Sequence, residues 1–182
     1  MLETCNLIVH PNPIYSYINP LPMKELNIHI DIRIYPYEEL TAADRELIDA
    51  AREATHRSYA PYSHFSVGAA ARLADGTMVC GSNQENAAYP SGLCAERTTL
   101  FYANSRYPDQ AVVTLAIAAR NEQGEFLDAP IPPCGACRQV MLETEARYRQ
   151  PMRILLYGRR GIYEVKKVGD LLPLSFDASA MQ

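Results

Sequence analysis

The chain has 182 residues, 48% of them hydrophobic, and a formal net charge of -4. That length suits one domain with some excess at an end, and it is enough to bury a core. The mild acidic balance, with basic residues adjacent only in the pairs Arg159-Arg160 and Lys166-Lys167, disfavours nucleic-acid binding by phosphate neutralisation, and no apolar run is long enough to span a bilayer.

Residues 1–22 are rich in Pro, Asn and Tyr and show no clear period. They lack the basic start of a secretory signal, and their apolar stretch Leu7-Ile8-Val9 stops at Pro11. A cytoplasmic, reducing location is therefore the default expectation. There the five cysteines, Cys5, Cys80, Cys94, Cys134 and Cys137, are expected as thiols or metal ligands rather than disulfides. Residues 1–37 are read as an N-terminal extension, partly disordered or in part preceding the true start, for which Met23 is a candidate. Residues 38–182 are read as the folded domain.

From Thr41 the signals sharpen. Thr41 with Asp44 three residues on has the form of a capping box. Leu47, Ile48, Ala51, Ala54 and Ser58 share one helical face, and Pro61 ends that helix. Val67, Ala69, Ala71 and Leu73 alternate as in a half-buried strand; Asp75-Gly76 turns the chain into a second strand over Thr77–Gly81. A polar loop, Ser82–Ser91, leads to a helix beginning near Gly92. Val112–Ala119 reads as a strand buried on both faces. Asn121–Gly124 is a turn, and Pro132-Pro133 introduces a helix running to about Tyr148. Two more strands follow, Ile154–Tyr157 and Tyr163–Val168. The order helix, hairpin, helix, strand, helix, strand, strand fits an α/β fold with a mixed sheet of about five strands and helices on its faces.

Chemistry concentrates in Cys94-Ala95-Glu96 and Pro133-Cys134-Gly135-Ala136-Cys137. Cys94, Cys134 and Cys137 supply three soft thiolates, which suit Zn²⁺. No fourth ligand sits at typical spacing, because His10, His29, His56 and His64 are scattered. Three protein ligands leave one position for water, the arrangement of a catalytic rather than a structural zinc. Both segments fall at expected helix starts, whose positive ends favour thiolate over thiol. Three thiolates on one Zn²⁺ leave a formal charge of -1, which Arg97 and Arg138 are placed to offset by bonding the sulfurs, Arg97 taking the larger share. A lone C-x-x-C is also compatible with a redox pair; C-A-E followed some forty residues later by P-C-x-x-C is the more specific pattern, with the Glu as proton carrier and not as ligand.

Five blocks in order carry a family resemblance across about Ser58–Phe176. They are Tyr59–Phe65 with Val67-Gly68-Ala69; Asn83–Ala87; Cys94–Thr98; Pro133–Val140; and Leu171-Leu172-Pro173 with Phe176. In these the chain resembles the cytidine deaminases, specifically the branch with three cysteine ligands. The resemblance implies a three-layer α/β/α sandwich, a homotetramer, and zinc-dependent hydrolysis of cytidine and deoxycytidine to uridine and deoxyuridine plus ammonia, a reaction of pyrimidine salvage. It implies that Glu96 is catalytic and that Asn83 and Glu85 bond a ribose hydroxyl. Phe65 becomes a wall of the base pocket, Ala95 a substrate contact, and Tyr89 and Phe176 residues that reach a neighbouring subunit's site. Two readings stand for Phe65, since an aromatic opening a strand is also ordinary core, and Asn83 and Glu85 also suit a plain loop. A deaminase acting on bases in single-stranded nucleic acid would need basic or aromatic surface for the strand, and a non-catalytic zinc module would need a fourth ligand; neither fits this chain as well. No nucleic-acid or membrane partner is expected.

Overall fold

The computed structural model describes residues 23–181; Cys5 and the Pro-rich start lie outside them. Six strands form one sheet: β1 Ile32–Tyr35, β2 Ser66–Leu73, β3 Met78–Ser82, β4 Val112–Arg120, β5 Arg153–Gly158 and β6 Gly161–Val165. Their order is β1-β6-β5-β4-β2-β3. The β4–β5 pair is parallel and the other neighbours are antiparallel, so the sheet is mixed. Three α-helices cover it: α1 Ala42–Ala54, α2 Ala95–Arg106 and α3 Gly135–Tyr148.

Alternation along the strands sorts side chains into two layers. Ala70, Ala116, Ala118, Leu155 and Ile162 meet Leu47, Ile48 and Ala51 of α1. On the opposite face Ala69, Ala71, Leu115, Ile117, Ile154 and Leu156 meet Ala95, Leu100 and Ala103 of α2 and Met141 of α3. The run of small residues in β2 and β4 lets helices sit close on both faces. At Gly68 the approach is closest: a Cβ there would lie 2.1 Å from the Ala51 carbonyl oxygen of α1. Gly81 plays the same part under α2, where a Cβ would lie 2.6 Å from Thr99 Oγ1.

Helix α1 starts as the capping pattern predicts, with the Thr41 hydroxyl accepting from the Asp44 N–H at 3.1 Å. It stops at Ala54, ahead of Pro61, because a 3₁₀ turn over Thr55–Arg57 follows and delivers Ser58 in extended geometry. Helix α2 begins at Ala95 rather than near Gly92. The main chains of Gln84 and Leu93 exchange two hydrogen bonds, of 2.8 and 2.9 Å, and hold Leu93 in a bridge until Cys94. Strand β6 ends at Val165, not Val168, which lies in a 3₁₀ turn (Val168–Asp170).

The sheet has one strand more than expected, β1, drawn from residues before 38. It is held by specific contacts on its inner face. The Tyr35 hydroxyl donates to Glu164 Oε2 at 3.0 Å, and Glu164 is buried beside Asp44 with Arg153 bonding both carboxylates. An unpaired buried carboxylate costs several kcal/mol, so the shared guanidinium ties α1, β5 and β6 together. The outer face is different: Ile32 and Ile34 remain 48% and 61% exposed.

Candidate active site

Cys94 and Cys134 are the N-cap residues of α2 and α3, both extended, and neither side chain makes the capping hydrogen bond usual there. Their sulfurs turn toward each other instead. Cys94 Sγ lies 3.8 Å from Cys134 Sγ, which lies 3.4 Å from Cys137 Sγ; all three sulfurs fall within 4.8 Å of one another. Tetrahedral zinc with Zn–S of about 2.3 Å separates its sulfurs by about 3.8 Å, so the donor set fits zinc in chemistry and spacing. The packing of α2 against α3 brings the ligands together across forty residues of chain.

Electrostatics around the sulfurs are uneven. The Cys137 side chain first, with Arg97 and Cys134 and against the effect of burial, pulls the Cys94 thiol down to about 5. Cys137 is pushed up by the same partner, by burial and by the Glu96 carboxylate. Arg97 Nη2 donates to the Gly92 carbonyl at 3.2 Å and approaches Cys94 Sγ at 3.9 Å. Arg138 does otherwise than expected: Nε donates to the Pro133 carbonyl and Nη1 to the Leu171 carbonyl, each at 2.8 Å. It braces the P-C-x-x-C loop and the C-terminal segment and bonds no sulfur.

Glu96, in the first turn of α2, is 4% exposed. Burial pushes its carboxyl above the ordinary value, and negative charge at Cys94 adds to the effect. A carboxyl raised in this way holds a proton more readily than an ordinary one, which suits a group that must both accept and return it.

A cavity of about 450 Å³ opens beside Cys94 and Arg97, with Tyr62, Asn83, Glu85 and Tyr89 among its walls. It is of small-ligand size. Asn83 is buried, and most of its amide is committed. Oδ1 accepts from Ser58 Oγ and from the Val67 N–H (2.8 Å), and Nδ2 donates to the Phe65 carbonyl at 2.9 Å. One N–H remains. Glu85 Oε2 accepts from the N–H groups of Tyr62 (2.9 Å) and Ser63 (3.2 Å). The Ser63 side chain first, then the main-chain N–H groups of Tyr62 and Ser63, hold its carboxyl below the ordinary value.

Phe65 packs against the main core and is not among the walls of this cavity. Ala95 is fully buried at the start of α2. Tyr89 is 77% exposed and meets Tyr62 edge-to-face at 6.0 Å. Phe176 is 62% exposed, and its carbonyl accepts from Gln139 Nε2 at 2.9 Å. Sequence reasoning missed Tyr62 as a wall and Gln139 as a contact; both stand inside quoted blocks, but nothing in residue type or spacing marks them.

This fold brings three cysteine sulfurs to a spacing that could hold a metal ion, with a buried carboxylate beside them, on an α/β sheet. The sequence model described as "Cytidine and deoxycytidylate deaminase zinc-binding region" matches residues 41–149. A cytidine deaminase of Halalkalibacterium halodurans is 41% identical over 139 residues, 76% of this chain and 98% of that protein. One from Sporosarcina psychrophila is 40% identical over 131 residues, 72% of this chain and 89% of that protein. The crystal structure of cytidine deaminase from Burkholderia pseudomallei superposes with a TM-score of 0.61 at 39% identity, covering 75% of this chain and all of that one. The chain belongs to the cytidine deaminase family.

Proposed function

We propose that the protein hydrolyses cytidine and deoxycytidine to uridine and deoxyuridine, releasing ammonia. The observation that carries this reading is the convergence of three sulfurs within 4.8 Å beside the buried carboxyl of Glu96, with Cys94 in the wall of a cavity of small-ligand size.

Cys94, Cys134 and Cys137 would hold zinc, which when bound makes water acidic enough to act as a nucleophile at neutral pH. Glu96 takes the water proton and delivers it to N3 of the ring as the oxygen adds to C4. It then passes the second proton to the amino group, and ammonia leaves from the tetrahedral carbon. One carboxyl serves as base and acid in turn. Arg97, against Cys94, offsets negative charge on the sulfurs. The free N–H of Asn83 and the carboxylate of Glu85 offer a donor and an acceptor, the complement of one sugar hydroxyl. Phe65, behind Asn83, supports that loop as core, and the first turn of α2 at Ala95 offers main-chain N–H groups to the base.

The active assembly is proposed as a homotetramer in which exposed Tyr89 and Phe176 complete a neighbour's site; large aromatic side chains left in water suit that use. A cytoplasmic salvage role fits a chain among whose described helices none is long and apolar enough to cross a membrane. Residues 1–37 stand outside the catalytic unit in this reading, with β1 as their attachment to it.

Turnover of cytidine, followed by ultraviolet absorbance, tests the proposal. Free cytosine should be a poor substrate, since it leaves Asn83 and Glu85 without a sugar to bond. No turnover of either nucleoside by zinc-loaded protein would overturn it; light scattering checks the tetramer.

A further inference from the structure

The C-terminal arm after Pro173 is almost free of the domain. Leu174, Phe176 and Met181 are 81%, 62% and 71% exposed. Asp177 bonds within the arm, accepting from the N–H and hydroxyl of Ser179. Among the described residues one hydrogen bond joins residues 174–181 to the rest of the fold, from Gln139 Nε2 to the Phe176 carbonyl at 2.9 Å. Gln139 stands two residues after Cys137 on α3. Its neighbour Arg138 fixes the root of the arm by bonding the Leu171 carbonyl.

We propose that Gln139 is a positioning residue for substrate binding, which sets where the arm presents the Phe176 ring. The inference rests on the reading that Phe176 covers a nucleoside site. Leu171 is buried and bonded to Arg138, so the arm has a fixed origin. Between that origin and the ring stand Leu172, Pro173, Leu174 and Ser175, and rotation about their backbones would spread the ring over many positions. A single bond on the carbonyl of Phe176 itself removes most of that spread before any ligand arrives, which lowers the ordering cost of binding. Because Gln139 stands on α3, the ring's position is referenced to the rigid body of its own subunit, which the assembly in turn sets against the neighbour's site. Gln139 touches neither substrate nor metal in this arrangement; it acts through the arm alone.

The test is a set of variants assayed on cytidine. Gln139→Ala should raise KM roughly three- to ten-fold, the loss of one exposed hydrogen bond, with kcat within about two-fold and zinc content unchanged. Gln139→Glu keeps size but presents a carboxylate to the carbonyl, so it should match the alanine variant; wild-type KM there would assign the effect to packing and overturn the proposal. Amide hydrogen exchange over residues 174–181 should quicken in both variants. Truncation after Pro173 should raise KM further, and Gln139→Ala should add nothing in the truncated chain. If truncation raises KM and Gln139→Ala does not, Phe176 acts without Gln139 and the proposal falls while the reading of Phe176 stands. If truncation leaves KM unchanged, that reading fails and takes the proposal with it. If Gln139→Ala lowers zinc content or kcat, the residue serves α3 itself and the proposal is wrong.

Discussion

Cys94 and Cys134 occupy equivalent places, each the residue before the first turn of its helix, with sulfurs 3.8 Å apart. A serine or aspartate at either place would cap its helix and stabilise it by about 0.5–2 kcal/mol; cysteine forgoes that bond and leaves its sulfur for a metal. We expect close to one zinc per chain in fresh protein, and loss of metal together with a lower unfolding temperature in Cys134→Ala, since metal binding and folding are linked. Elemental analysis checks it; a metal-free wild type of full stability would refute the assignment.

Glu96→Gln should keep fold and metal while turnover drops by roughly 10²–10⁴-fold, because an amide cannot accept and return the proton. Near-normal rates in a folded, metallated variant would move the proton work to another group.

Asn83 should matter twice. Its Oδ1 satisfies the buried Val67 N–H and its Nδ2 the Phe65 carbonyl. Asn83→Ala should therefore destabilise the domain by about 1–3 kcal/mol, as well as raising KM for cytidine. Denaturant unfolding measured beside kinetics separates the two; unchanged stability would make the residue a ligand contact only.

Glu85 sets a sign for pH. Its folded value lies below the unfolded one, so the bonds it accepts from Tyr62 and Ser63 are fully present above the ordinary carboxylate range. They are lost only as pH falls through the depressed folded value. KM should be level through the neutral range and rise in acid, and Glu85→Gln should remove that acid limb. A KM that climbs already near neutrality would point to a different titrating group.

His64 adopts φ of 53° in the turn that Glu85 holds. Left-handed backbone suits glycine and resists β-branched residues. His64→Gly should fold at least as stably as the wild type, and His64→Val should lose on the order of 1 kcal/mol or more. Equal stability of the two in thermal unfolding would count against this.

The site was legible because its residue types are rare in combination. Three cysteines and a glutamate at two helix starts say metal and proton transfer before any coordinates exist. The helix starts themselves came within a few residues; Cys94 as a cap could not be read, since only the Gln84–Leu93 bridge delays α2 past Gly92. Arg138 shows where type and spacing run out: a cation next to a ligand was expected on sulfur, and main-chain carbonyls took it. Strand β1 escaped for a different reason. Isoleucine alternates with polar residues from Ile28 to Ile34, a strand period, but its partner β6 lies 130 residues downstream and the anchoring Glu164 gives no local sign.

Strand β1 enters the sheet at the edge opposite β3, five strand spacings or about 24 Å across. The loop carrying Asn83 and Glu85 follows β3, so β1 itself lies at the far edge of the sheet from that loop. The C-terminal end is the poor choice for immobilisation, since a tether there pulls on an arm that a single side chain keeps in place.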